Sequence, residues 1–125
     1  MTWYHHTLWE QPYLDLWSTV HFSAGTLLGL IPIFIELSIV ALILVVLAIT
    51  VGWELVEVFY GIKEHFSNQI IDVVVAVFGL LTVSLLLTTL PKLRRRKKLL
   101  ISILFGVFLL LNLIGWLAYQ NYSGL

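Results

Sequence analysis

Four long apolar runs dominate the 125-residue chain, and they leave it few possible folds. Crossing a bilayer takes about 20 apolar residues in a helix. Lipid offers no partner to exposed backbone groups, so helices are the expected state. The first run, Leu14 to Ile31, spans about 27 Å at the helical rise, barely enough to cross, and Pro32 ends or kinks it. The second, Ile33 to Tyr60, is long enough that it must tilt or protrude. A polar turn, GIKEHFSNQ, leads to the third, Ile70 to Leu90, which Pro91 stops. The loop KLRRRKK then leads to the fourth, Leu99 to Tyr119. The expected fold is all-α, an integral membrane bundle of four transmembrane helices forming one domain over residues 1–125, with helices near 14–31, 33–60, 70–90 and 99–119.

Composition agrees. Hydrophobic residues make up 60% and charged residues 11%, against about 25% charged in a soluble domain. Without cysteine, disulfides, thiolate nucleophiles and thiolate metal sites are excluded. The expected partner is the bilayer, and no nucleic-acid partner is expected. The start, MTWYHHTLWEQP, has no Lys or Arg and no cleavage-like small-residue site, so it is expected to stay on the mature protein. His5 and His6 read as a solvated tail.

Orientation follows from charge. Six of the seven Lys/Arg residues lie between Lys92 and Lys98. The positive-inside rule places that loop in the cytoplasm of a multi-pass cell-membrane protein. With four spans, the Pro32 turn is cytoplasmic too, and both termini and the loop 61–69 are outside. Trp3, Tyr4, Trp9, Tyr13 and Trp17 at one end of the chain, and Trp116, Tyr119 and Tyr122 at the other, fall on the same outer face, as an interfacial aromatic belt would. The basic loop could also bind anionic lipid.

Against this apolar background, His21, Glu54, Glu57 and Asp72 are conspicuous, because a charge in hydrocarbon costs several kcal/mol and normally faces a bundle interior or wet cavity. Topology puts all of them in the outer half, with Asp15 near. Helical spacing groups Ser18, His21, Gly25 and Gly29 on one face, with Asp15 at its edge. Glu54, Glu57 and Gly61 share a second face, and Asp72, Ala76 and Gly79 a third. Small residues on such faces let helices approach closely. Turned together, the three faces would place the four ionisable side chains in one pocket. The fourth helix offers only Asn112 and is expected at the periphery. Blander readings exist for each residue. Asp72 follows two good N-caps, Ser67 and Asn68, and an acid near a helix start gains from the dipole. Asp15 could be an interfacial acid, and Glu57 could snorkel to the surface. His21 could be a neutral, hydrogen-bonded histidine. Glu54 is deeper and harder to explain. Lys63 and His65 read as solvated, and Glu36 as snorkelling at the cytoplasmic end.

Three carboxylates and an imidazole in one low-dielectric pocket require either protonated acids or a cation. His21, Glu54, Glu57 and Asp72 offer a nitrogen and oxygens that suit Zn²⁺, Mn²⁺ or Fe²⁺ as metal ligands. The same four could act catalytically, as the acid, base and metal set of a hydrolase acting on a phosphate or ester. They could equally relay protons or cations. The chain lacks a phosphate-cradling Gly-rich loop, an intramembrane Arg to grip phosphate, and a GxSxG nucleophile elbow.

DLWSTVHFSAG, then WELVE, then SNQIIDVVVAVFG, resembles the small membrane proteins grouped as VanZ-like or YjdF-like. The resemblance covers about residues 15–79 and rests on Asp15, His21, Gly25, Glu54, Glu57, Asp72 and Gly79. Glu57 stands where VanZ proteins tend to have Gln, and the Arg often preceding the last Asp is absent. The family has no general activity to lend, and VanZ itself is associated with glycopeptide-antibiotic resistance. Three functions fit the residues. One is a membrane enzyme or binding protein for a lipid-like or amphipathic substrate, using a divalent metal. The second is a small ion- or proton-coupled transporter, which at this size needs a homo-oligomer. The third is an accessory subunit whose polar residues lock helices together.

Overall fold

A computed structural model describes residues 13–62 and 64–123, with side chains as far as Ala118. The aromatic residues Trp3, Tyr4 and Trp9, the pair His5 and His6, and Lys63 lie outside the described residues, as do the side chains of Tyr119 and Tyr122. The fold is all-α, without a strand among the described residues. The helices are α1 (Leu16–Leu28), α2 (Ile39–Phe59), α3 (Phe66–Thr89), the short α4 (Pro91–Arg95) and α5 (Lys97–Ser123), with a 3-10 turn at Ile31–Ile33 after α1. Four segments are long and apolar enough to cross a membrane, counting α1 together with its 3-10 turn as Leu16–Ile33.

The packing is that of a membrane protein. The fully buried apolar centre is small and is built on Leu42, Val46, Ala76 and Leu80. Large apolar side chains such as Leu44, Leu55, Phe78 and Leu109 point outward. In water that arrangement would be costly, whereas lipid solvates it without penalty. The most extensive helix pair is α1 with α3; α2 packs chiefly on α3, and α5 on α1.

Small residues make the α1–α3 approach possible. A Cβ on Gly25 would overlap the Ala76 carbonyl, and one on Gly79 would overlap the Phe22 carbonyl. Two of the buried hydroxyls of α1 turn inward on their own backbone: Ser23 donates to the Val20 carbonyl at 2.8 Å and Thr26 to the Ser23 carbonyl at 2.7 Å. They add polarity without a cross-helix demand.

Two helix starts differ from the sequence expectation by four residues or more. The second helix begins at Ile39 rather than Ile33. Pro32 closes a 3-10 turn instead, and the Ser38 hydroxyl caps α2 by accepting from the Ala41 N–H at 3.1 Å. At 21 residues, α2 is about 31 Å long, close to the hydrocarbon thickness, so no excess length needs tilt. The third helix begins at Phe66 rather than Ile70. Ser67 and Asn68 are inside it and not its caps; Asn68 is 1% exposed, and its side-chain amide donates to the Tyr13 carbonyl. Asp72 is therefore the seventh residue of α3, beyond the first turn where the dipole acts.

Candidate functional site

The site is built at the end of the bundle where α1 and α3 start and α2 finishes. Asp15 is the N-cap of α1. Its Oδ1 accepts from the Ser18 N–H at 3.1 Å, and the Ser18 hydroxyl accepts from the Asp15 N–H at 3.3 Å, a reciprocal capping box. Asp15 thus caps the start of α1. That box also orients Ser18, whose hydroxyl donates across to Asp72 Oδ1 at 2.5 Å.

One turn on, His21 faces two acids. Its Nε2 lies 3.5 Å from Asp72 Oδ2 and 3.7 Å from Glu54 Oε1. Glu54 arrives there because α2 buries every fourth residue, Leu42, Val46, Thr50 and Glu54, so the acid continues the inward-facing stripe beyond Thr50. Asp72 is 0% exposed, Glu54 7% and His21 8%. Neither oxygen of Glu54 accepts a hydrogen bond, nor does Asp72 Oδ2. Buried polar atoms are rarely left this way.

The three residues offer one nitrogen and two oxygens within 4.8 Å of one another. The spacing is too wide for hydrogen bonds, which run about 2.7–3.2 Å. It suits a shared cation better, because ligands about 2.1 Å from a tetrahedral ion lie about 3.4 Å apart.

The chain matches no protein-family model, no curated protein and no solved structure.

Of the four residues singled out by sequence, His21, Glu54 and Asp72 come together, while Glu57 sits one turn further along α2 and joins a different group. Glu57 is half-buried, and its Oε1 accepts from the Trp53 indole N–H at 2.6 Å within the same helix. It groups with Glu54 and with Glu64, an acid not distinguished by sequence within the polar turn. The signal for Glu64 lay in Gly61. At φ 77°, Gly61 ends α2 with a Schellman closure, in which the Ile62 N–H donates to the Glu57 carbonyl and the Gly61 N–H to the Val58 carbonyl, both at 3.0 Å. The chain reverses there and returns toward Glu57. Burial, together with the carboxylates of Glu57, Glu54, Asp72 and Asp15, pushes the Glu64 carboxyl up to about 9.

An apolar cavity of about 250 Å³ adjoins the cluster between α1, α2 and α5. His21 contributes to both. Trp17, Ile49, Trp53 and Phe108 form much of the wall, and Thr50 and Asn112 add polar atoms. The Asn112 amide donates to the Phe108 carbonyl at 2.7 Å, a bond within α5 that leaves this helix peripheral to the acids.

Proposed function

We propose that the protein is a multi-pass membrane protein that holds a divalent cation between His21, Glu54 and Asp72 and uses it to bind, or act on, an amphipathic lipid-like molecule. One observation carries the reading: three deeply buried carboxylate oxygens, both of Glu54 and Oδ2 of Asp72, accept no hydrogen bond, and the His21 Nε2 stands beside them. No Lys or Arg among the described residues pairs with these acids. A divalent cation would neutralise two carboxylates and satisfy all three side chains at once. One imidazole and two carboxylates favour Zn²⁺, Mn²⁺ or Fe²⁺. Three protein ligands leave a position for water or a substrate oxygen, and a cation there supplies a Lewis acid. The neighbouring cavity supports an apolar tail as the other half of the ligand, because His21 lines it beside Trp17 and Trp53. The proposal includes an outward-facing site, supported by the basic residues Lys92 to Lys98, in α4 and the start of α5, at the other end of α3. It also includes the VanZ-like resemblance carried by Asp15, His21, Gly25, Glu54, Glu57, Asp72 and Gly79.

The test is metal analysis of detergent-purified protein and of His21→Ala, Glu54→Gln and Asp72→Asn, with Mn²⁺ and Zn²⁺ affinities measured on each. Replacing outer partners of metal ligands costs about 10–100-fold in affinity, so each ligand variant should lose at least that much. Wild type that binds neither ion, or variants that bind both as tightly as wild type, would overturn the reading.

A further inference from the structure

We propose a second cation position, built from Glu54, Glu57 and Glu64, so that Glu54 bridges two divalent ions. The inference builds on the single-cation reading through that shared residue. Each of the three glutamates keeps at least one buried oxygen that accepts no hydrogen bond: both oxygens of Glu54, Oε2 of Glu57 and Oε2 of Glu64. One oxygen from each lies within 4.8 Å of the others. The Glu54 side chain is only 9% exposed. A carboxylate has two oxygens and about four acceptor sites, so one can serve each ion. The Trp53 indole N–H holds Glu57 Oε1 at 2.6 Å, which fixes the carboxylate plane and directs Oε2 to the group.

Charge supports the same count. Glu54, Glu57, Glu64 and Asp72 carry a formal −4 when ionised, and two divalent cations carry +4. With a single ion on the histidine side, Glu57 and Glu64 find no Lys or Arg partner among the described residues and would have to keep their protons, whereas a second cation lets both ionise. The two positions differ in chemistry. The His21 side has a nitrogen ligand, whereas the Glu64 side has only oxygens and suits a harder ion such as Mn²⁺, Mg²⁺ or Ca²⁺. Mn²⁺ fits both. Paired metal sites about 3.5–4 Å apart clamp attacking and leaving oxygens in hydrolytic displacements, so the arrangement points to a phosphate or carboxylate ester headgroup as the substrate class.

The experiment is Mn²⁺ titration of the full chain in detergent, read by bound stoichiometry and by electron paramagnetic resonance. Wild type should take up two ions per chain and show a spin-coupled spectrum. Glu64→Gln, in a loop, and Glu57→Gln, which can still accept from Trp53, should each bind one ion with the six-line spectrum of isolated Mn²⁺. Circular dichroism confirms that each variant folds. One ion in wild type and in both variants would overturn the second position and leave the first standing. Two ions in either folded variant would overturn the assignment of Glu57 and Glu64 as ligands. Two uncoupled ions in wild type would overturn the bridging role of Glu54. No bound ion in wild type would overturn the single-cation reading as well.

Discussion

Ser18 and Asp72, 54 positions apart in sequence, share a buried hydrogen bond of 2.5 Å between α1 and α3. It satisfies Asp72 Oδ1 and leaves Oδ2 beside His21. In Ser18→Ala, both oxygens of Asp72 would lack a protein donor. An orphaned buried acceptor costs about 1–3 kcal/mol, so the metal-free variant should melt earlier than wild type. Unchanged melting would mean that the bond contributes little to helix pairing.

Asp15 and Glu54 should respond differently to loss of charge. Asn is as good an N-cap as Asp, so Asp15→Asn should keep both fold and cation. Asp15→Ala should lose about 0.5–2 kcal/mol of stability. Glu54→Gln should lose the cation while the metal-free protein melts at or above the wild-type temperature, because a buried charge has been removed. Metal content and melting of the three variants check this together. Greater metal loss in Asp15→Asn than in Glu54→Gln would contradict the assignment.

The glycines divide in the same way. Gly25→Ala places a methyl group against the Ala76 carbonyl, and the α1–α3 pair must separate, at a cost of about 1–3 kcal/mol or more. Gly52→Ala meets nothing within 4 Å and replaces a poor helix former inside α2, so it should be neutral or stabilising by up to about 1 kcal/mol. Melting in one detergent compares them directly.

Without metal, stability should fall as pH rises. The folded Glu64 carboxyl is raised from 4.5 to about 9, so between those values the folded state holds a proton that the unfolded state has released. The stabilisation is fully present below the unfolded value and is lost as pH climbs through the folded one. In chelator, Glu64→Gln should flatten the decline of melting temperature across that window. An equal slope in wild type and variant would show that Glu64 does not contribute.

Tags at both termini should be accessible in intact cells, and a tag inserted at Arg96, between α4 and α5, protected. The reverse pattern would move the acids to the cytoplasmic side.

What the sequence revealed depended on periodicity. The spacing of His21 with Gly25, of Glu54 with Glu57, and of Asp72 with Ala76 and Gly79 is a helical pattern, and the structure brings His21, Glu54 and Asp72 together. The helix starts were harder to see. Asn68 reads as a cap, yet it enters α3 because its side chain satisfies the Tyr13 carbonyl, a contact between distant segments. Glu64 was hidden for a related reason. Loop residues carry no period, and its place depends on a backbone reversal. Glu57 was grouped with His21 because both acids of WELVE share a face, but three residues along a helix are also about 4.5 Å along its axis.

Gly61 meets nothing within 4 Å of where a Cβ would stand, so its importance is purely conformational. Another residue at φ 77° would pay roughly 1–2 kcal/mol, which a bundle of four apolar helices can absorb. The reversal, however, would be free to relax into a wider turn and swing Glu64 away, while His21, Glu54 and Asp72 stay anchored on helices. The two acid groups are thus mechanically separable, and a single achiral residue acts as the hinge pin that sets whether the third glutamate docks.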